Sequence, residues 1–136
     1  MLDGSIVKVH QDATRSCLNK PDQAIGASVG GLSTKVHAKV DSFGQLMKII
    51  LSPGQAHESQ FVFEAYDSEP CGFFLADKAY DIDAFRGHLK KDGVEAVIPS
   101  KMNRKQTQVH DEYIYKERNI VERFFQKIKR FRRIAT

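Results

Sequence analysis

The stretch from Tyr113 to Arg133 contains neither glycine nor proline and has apolar residues at helical spacing, which predicts one long amphipathic helix. Such a helix must bury its apolar face against another layer of secondary structure. The apolar residues of that face are Ile120, Val121, Phe124, Phe125, Ile128 and Phe131. A chain of 136 residues is long enough for one compact core and too short for two ordinary domains, so we expect a single domain.

Apolar runs near the start of the chain predict the sheet on which this helix packs. β-branched residues in Leu2–His10 indicate a strand, and residues 11–31, which are polar and include a proline and three glycines, indicate a long loop. The runs Leu32–Val40 and Gln45–Leu51 flank the turn-forming residues 41–44 and predict a β-hairpin. Three antiparallel strands are the simplest arrangement of these segments.

Strands and helices then alternate along the chain. We expect a short helix in Glu58–Tyr66, a buried strand in Cys71–Ala76, a helix in Asp81–Lys91 and a short strand in Val94–Ile98. The polar, basic stretch Lys101–Gln108 predicts a surface loop. This order predicts an α/β fold of the α+β mixed-sheet kind, with helices packed on the sheet.

Positive charge is concentrated at the carboxyl end of the chain. Residues 1–100 hold 10 basic and 13 acidic side chains, whereas residues 101–136 hold 11 basic and 4 acidic ones. Such a concentration is typical of a polyanion-binding surface, although a basic helix is about as often only a solvated face. No apolar stretch is long enough to span a membrane, and no signal peptide is recognisable, so we expect a cytoplasmic protein.

Four polar residues share one stripe of the final predicted helix. At about 100° per residue, Arg118, Glu122 and Lys129 project within about 40° of one another, and Tyr115 lies about 20° further round. The stripe adjoins the apolar face, so the helix can be anchored to the sheet and still present these side chains along its edge.

These four residues carry a specific resemblance. The spacing Tyr115-x2-Arg118-x3-Glu122-x6-Lys129 resembles, at every fixed position, the signature of bacterial insertion-sequence DDE transposases of families four and five. In that family the glutamate is the third metal ligand, and the arginine and lysine are thought to engage the DNA backbone. The resemblance implies these roles for Glu122, Arg118 and Lys129.

Other stretches agree with the same family in order. Leu75–Asp81 resembles its strand-end motif, in which the first aspartate of Asp-x-x-Tyr-Asp binds metal, which implies Asp77 and not Asp81 as the second ligand. Leu2–His10 resembles the first strand, which implies Asp3 as the first ligand. Gly30–His37 and Leu51–His57 resemble two stretches between those ligands. The resemblance implies a ribonuclease-H-like fold with three antiparallel strands, further strands alternating with helices, and a long C-terminal helix.

Three carboxylates suit the implied chemistry. Activating a water or a 3′-hydroxyl, and stabilising charge on the attacking and leaving oxygens of a phosphodiester, is work that paired divalent ions perform. Mg²⁺ prefers oxygen ligands, and Mn²⁺ often substitutes for it. Because carboxylates held close together repel one another, we also expect perturbed pKa values at the site.

DNA is the expected partner, both at the ends of the element and at the target. Beyond the signature residues, the basic surface is expected to include Lys101, Arg104, Lys105, Arg130, Arg132 and Arg133, with Tyr115 able either to stack on substrate or to pack. A homodimer is expected because two DNA ends must be paired, and neither a membrane nor a small-molecule substrate is expected. Residues 1–136 are expected to be one catalytic domain truncated at both ends, a fragment or downstream frame without the N-terminal DNA-binding domain.

Each acid also has an ordinary structural explanation. Asp3 could be an exposed terminal charge, Asp77 could cap the following helix, and Glu122 could pair only with Arg118. Two further functions therefore stay open beside the transposase: an inactive, truncated remnant that only binds nucleic acid, and a metal-dependent nuclease without strand transfer. Loss of Mg²⁺-dependent activity in Glu122→Gln, and product analysis with a 3′-hydroxyl donor, separate these three.

Overall fold

A computed structural model of the chain describes residues 1–8 and 24–131. The strands there are β1 Leu2–Lys8, β2 Gly26–Ser28, β3 Gly31–Val40, β4 Leu46–Pro53, β5 Phe73–Leu75 and β6 Glu95–Val97. The α-helices are α1 Val62–Ala65, α2 Asp83–Lys91, α3 Glu112–Tyr115 and α4 Asn119–Ile128, with 3₁₀ segments at Glu58–Phe61, Lys78–Tyr80 and Lys116–Arg118. This mixed α/β content confirms the predicted fold class.

The sheet has an antiparallel part and a parallel part. β3 pairs antiparallel with β1 on one side and with β4 and the short β2 on the other, while β5 and β6 pair in parallel. An isolated parallel bridge between Leu2 and Ala76 joins β1 to the segment that follows β5. The order across the molecule is therefore β4, β3, β1, β5 and β6, and the three antiparallel strands predicted from the sequence are confirmed.

The predicted hairpin is also confirmed, and its turn has a clear physical basis. The carboxylate of Asp41 accepts hydrogen bonds from the backbone N–H groups of Phe43 and Gln45, both at 2.9 Å. Gly44 has a φ of 80°, a conformation that favours glycine because other residues meet a steric penalty there. The turn fixes the register in which His37 lies opposite Ile50.

Helices cover both faces of the sheet. One face packs the main core, which joins Leu2 and Ile50 to Val62 of α1 and to Phe85 and Leu89 of α2. On the opposite face a smaller cluster is formed by buried residues of β3 and α4, namely Ala38, Val40, Val121 and Phe125. Because directly opposed residues of paired strands share a face, Asp3, which lies opposite Ala38, is on the α4 face.

The prediction of one helix from Tyr113 to Arg133 was wrong in two respects. The segment is divided by the 3₁₀ turn Lys116–Arg118, and α4 ends at Ile128. The apolar contact with the sheet stops there, since Phe131 is 66% exposed, and helices in proteins depend on such packing more than on propensity. Arg132 and Arg133 lie outside the described residues.

The other boundaries differ from the predictions by a few residues. The segment predicted as a helix in Glu58–Tyr66 starts as a 3₁₀ turn before α1, and β5 and β6 are each shorter than predicted. Residues 9–23, which include most of the predicted long loop and the end of the predicted first strand, lie outside the described ranges. Within residues 1–8 and 24–131, no helix is long and apolar enough to cross a bilayer.

Candidate acidic site on the face of helix α4

Two of the three predicted acids are brought together by the junction between the two parts of the sheet. Asp3 follows Leu2 on β1, and Asp77 follows Ala76, which bridges to Leu2. Neighbouring strands lie about 4.8 Å apart, so the backbones at the two aspartates are adjacent. One parallel bridge thus brings together two aspartates that are 74 positions apart in the sequence.

Arg118 joins the first and third predicted acids. Its guanidinium donates to Oδ2 of Asp3 at 3.0 Å and forms an ion pair with Oε1 of Glu122 at 3.3 Å. It also donates to the hydroxyl of Tyr115 at 3.2 Å. Three of the four signature residues therefore meet at this side chain. The fourth, Lys129, is exposed at the end of α4.

The electrostatics of Asp3 are set first by burial. Desolvation raises its pKa, and Asp77 adds to the increase, while Arg118 and the N–H of Gly4 act in the opposite direction. The perturbation expected from the sequence is therefore present at Asp3, although its main cause is burial and not repulsion between acids. Burial by itself would lower the pKa of Arg118, but attraction to Asp3, Tyr115 and Asp77 raises it.

The Nε donor of Arg118 has no hydrogen-bond partner in the described part of the chain. The Nε atom is buried, and no acceptor lies within hydrogen-bonding distance of it among residues 1–8 and 24–131. A buried N–H group left unpaired costs about 1–3 kcal/mol, and an acceptor on a bound anion would remove that cost. A guanidinium in this state suits a phosphate oxygen well.

The donor set suits a hard divalent cation, but the acids are not gathered around a common point. Nowhere in the described ranges do three or more His, Cys, Asp or Glu side chains form a group that could hold a metal. The Arg118 guanidinium lies between Asp3 and Glu122 instead. The side chain of Glu122 is 50% exposed, so it is free to turn from Arg118 towards a cation. Glu122 could join Asp3 and Asp77 around a cation only if its carboxylate left Arg118.

The turn after Asp77 is held at several points. The Asp77 carboxylate accepts a hydrogen bond from the N–H of Lys78 at 2.7 Å and caps the 3₁₀ segment. Tyr80 is fully buried, and its hydroxyl lies 3.0 Å from Nδ1 of His37. Tyr80 is therefore a packing residue of the main core.

Asp81 has a different role from Asp77. Its carboxylate is fully buried and bonded by Arg86, Arg104 and the N–H of Lys101. Burial favours the neutral acid, but these hydrogen bonds outweigh it and lower its pKa to about 2. The carboxylate is occupied inside the protein, which agrees with the choice of Asp77 as the metal ligand.

The predicted basic residues differ in their accessibility. Lys105 and Arg130 are exposed and Lys101 is half-buried, whereas the guanidinium of Arg104 is bonded to Asp81 and Asp83. Tyr115 is half-buried beside Arg118.

Lys78, which directly follows Asp77, was not among the site residues predicted from the sequence. It lines an open cavity of about 310 Å³ together with Asp77, Ala79, Lys101, Met102 and Asn103. A larger cavity, of about 480 Å³, lies elsewhere and includes none of the three predicted acids in its lining. Its walls include Met1, Met47, Tyr66 and Phe74. Of the three predicted acids, the smaller cavity is lined by Asp77.

Comparison with known proteins gives a consistent result. A family model described as a transposase DDE domain matches residues 8–136, a range that includes Asp77 and Glu122 and begins after Asp3. The chain is 35% identical over 107 residues to a Brucella ovis protein named putative transposase for insertion sequence element IS6501, covering 76% of this chain and 82% of that protein. It is 32% identical over 110 residues to the transposase for insertion sequence element IS1106 of Neisseria meningitidis serogroup B, covering 76% of this chain and 38% of that protein. No solved structure matches the chain.

Proposed function

Because the chain belongs to the family of transposase DDE domains, we propose that it is the catalytic domain of an insertion-sequence transposase and that it cleaves DNA and transfers strands. Asp3, Asp77 and Glu122 are its proposed metal ligands, with Mg²⁺ as the cofactor and Mn²⁺ as its substitute. Residues 1–136 are proposed to act as one domain of the family-four or family-five type.

One observation carries this proposal. Arg118 contacts both Asp3 and Glu122, while the bridge between Leu2 and Ala76 brings Asp77 beside Asp3. Asp3 and Asp77 thus follow two bridged residues, and Glu122 is linked to Asp3 through Arg118 on the α4 face. Three acids on three separate elements are what a site for divalent ions on a phosphodiester requires.

The strand order supports a ribonuclease-H-like fold for this domain. The resemblance implies three antiparallel strands followed by strands that alternate with helices, and the observed order of β4, β3, β1, β5 and β6 agrees with it. Such an arrangement puts one acid on the central strand, one at the end of its parallel neighbour, and one on the helix that covers that face.

When bound, the divalent ions would activate the attacking water or 3′-hydroxyl and offset the charge on the leaving oxygen. The protein's own residues hold and orient the substrate. Arg118 offers the unpartnered Nε–H to a phosphate oxygen, and its pairing with Asp3 keeps the guanidinium facing the acids. If the Glu122 carboxylate left Arg118 to bind a cation, one Nη1 N–H of Arg118 would be free to donate to the same phosphate.

The partners proposed are the DNA ends of the element and its target. Lys129 and Arg130 are exposed at the end of α4. The proposed DNA contacts are Tyr115, Lys129, Arg130, Arg132, Arg133, Lys101 and Lys105. Phosphate contacts of this kind position DNA without reading its sequence. A homodimer is proposed because two element ends must be held together.

A titration of Mg²⁺ or Mn²⁺ by calorimetry, with a short DNA duplex present, tests the proposal. The wild-type chain is expected to bind the cation, and Glu122→Gln is expected to lose most of that binding because one carboxylate ligand becomes an amide. Glu117→Gln is the matched control: it removes the same charge in the neighbouring 3₁₀ turn, and Glu117 has no ion-pair partner within the described ranges.

The same variants decide the alternative function. The position of Arg118 between Asp3 and Glu122 favours a remnant that binds nucleic acid through its basic surface and never assembles a metal site. That alternative predicts DNA binding that weakens with salt, no metal-dependent heat in the wild-type chain, and no difference between Glu122→Gln and Glu117→Gln. Undiminished metal-dependent cleavage of DNA by Glu122→Gln would exclude Glu122 as a ligand.

A further inference from the structure

The buried carboxylate of Asp81 holds the loop that follows β6. Its Oδ1 accepts from Nε of Arg86 at 2.7 Å and from Nη2 of Arg104 at 2.6 Å, and its Oδ2 accepts from Nε of Arg104 and the N–H of Lys101, each at 2.9 Å. Arg104 thus forms the two-pronged pairing that makes guanidinium–carboxylate contacts strong and directional. The Asp81 side chain is fully buried.

These bonds fix both ends of a single turn. The N–H of Arg104 donates to the carbonyl of Lys101 at 3.1 Å, so the turn from Lys101 to Arg104 is closed on itself and attached to Asp81 at each end. Asp77 and Asp81 are the N-cap and the C-cap of the 3₁₀ segment Lys78–Tyr80. The turn is therefore fixed relative to the proposed metal ligand Asp77.

The open side of this turn forms one wall of the cavity of about 310 Å³ beside Asp77. Both Lys78 and Lys101 line this cavity. Neither ammonium group has an ion-pair partner in the described part of the chain, so both charges are available. A cavity with two free cations next to a metal-binding acid suits a phosphodiester group of a bound strand.

We propose that Lys78 and Lys101 form a binding site for DNA backbone phosphate beside Asp77, and that Arg104 acts through Asp81 as the positioning residue that holds Lys101 in this site. The inference rests on the proposed function, because it takes DNA as the substrate at Asp77. It gives Arg104, which was expected from the sequence to contact DNA directly, an indirect role, and it adds Lys78 to the contacts.

The positioning role can be measured without DNA or metal. In Arg104→Gln the N–H of Lys101 is expected to exchange with deuterium at least about tenfold faster, since the loss of a buried ion-pair partner removes more than 1.4 kcal/mol. Trypsin is expected to cut faster after Lys101 and Lys105. Arg104→Lys should restore part of the protection, because an ammonium replaces the charge but not the two-pronged geometry.

Asp83→Asn is the matched control for this experiment. The Asp83 side chain is 84% exposed. Its substitution removes one partner of Arg104 and leaves the buried contact of Arg104 with Asp81 in place. In Asp83→Asn the N–H of Lys101 is expected to exchange with deuterium at the wild-type rate. Wild-type exchange in Arg104→Gln, with the thermal midpoint unchanged, would overturn the positioning role.

The phosphate site is tested by the salt dependence of affinity for a short DNA duplex. Each lost phosphate contact lowers the slope of log affinity against log salt by about 0.9. Lys78→Gln and Lys101→Gln are each expected to lose about that amount, whereas Lys90→Gln, an exposed lysine in the last turn of α2, is expected to keep the wild-type slope. Wild-type slopes in both Lys78→Gln and Lys101→Gln would overturn the site.

The double variant separates the two roles of Arg104. If Arg104 only positions Lys101, the slope of Lys101→Gln/Arg104→Gln should equal that of Lys101→Gln, whereas independent contacts would lower it by about 0.9 more. An additive loss would overturn the indirect role. A wild-type chain that does not bind DNA would remove the proposed function and the phosphate site together, while the exchange experiment would still decide whether Arg104 positions the turn.

Discussion

At the scale of single residues, Arg118 organises the acidic site. It pairs with an acid 115 positions away in the sequence and with Glu122 one helical turn away. The local pair could be predicted from the spacing of i and i+4. The contact with Asp3 could not, because it depends on how β1 and α4 meet across the sheet and on the burial of both side chains.

The pair of Asp3 and Arg118 is expected to be energetically coupled. Their side chains are only 13% and 19% exposed, so Arg118→Met leaves a mostly buried carboxylate without its partner and should destabilise the fold. Adding Asp3→Asn should recover part of the loss, with a coupling energy of about 1–3 kcal/mol. Urea unfolding of the wild type, both single variants and the double variant measures it, and additive losses would contradict the coupling.

His37 is expected to make stability depend on pH in a defined window. Burial, followed by the charge of Lys35, lowers its pKa to about 4, while the unfolded chain has the ordinary value of about 6.5. Between these values the unfolded state binds more protons, so the free energy of unfolding falls as pH drops from about 6.5 to about 4, by at most about 1.4 kcal/mol per pH unit.

His37→Gln isolates this contribution. The imidazole lies between Tyr80 and Ser52, at 3.0 and 2.8 Å, and glutamine keeps a polar side chain in that place without the titration. The difference in unfolding free energy between the wild type and the variant, followed by urea denaturation, should shrink as pH falls through the window. A constant difference would show that His37 does not titrate there.

At the scale of elements, α4 packs one apolar face on the sheet and exposes polar side chains beside it. Val121 and Phe125 are buried against Ala38 and Val40, while Glu122 and Lys129 lie at the edge and the end of the same helix. The amphipathic pattern predicted this division correctly. It extended the helix too far, because periodicity records which residues are apolar and not whether a sheet is present to cover them.

Phe125→Ala is expected to destabilise the chain by about 3–4 kcal/mol, the usual cost of emptying a buried aromatic site. Its side chain is 6% exposed, whereas that of Phe131 is 66% exposed, so Phe131→Ala is the matched control and should change stability by less than about 0.5 kcal/mol. Chemical denaturation of both variants measures the contrast. Equal losses would show that α4 is not anchored through this cluster.

At the scale of the whole molecule, positive charge is concentrated in the segment that contains α4. The net charge is only +4, but the basic residues of the last third extend from the site along α4. The sequence predicted this asymmetry and the succession of strands and helices along the chain. It could not predict the single bridge between Leu2 and Ala76, because that contact depends on the packing of both residues in the main core.

The basic end of α4 is expected to contribute to the salt dependence of DNA binding. Lys129→Gln/Arg130→Gln should lower the slope of log affinity against log salt by about 1.8, since two phosphate contacts are lost. Lys90→Gln/Lys91→Gln, which removes the same charge from the end of α2, should leave the slope unchanged. Equal effects of the two double variants would mean that DNA binding follows net charge and not the face of α4.

The bridge between Leu2 and Ala76 also has a consequence for the order of folding. The β3–β4 hairpin closes over a short stretch of chain, but the acids meet only after β1 has paired with both β3 and the segment after β5, and after Arg118 has reached Asp3. Contacts between such distant positions form slowly. We therefore expect the acidic site to be among the last parts of the molecule to form.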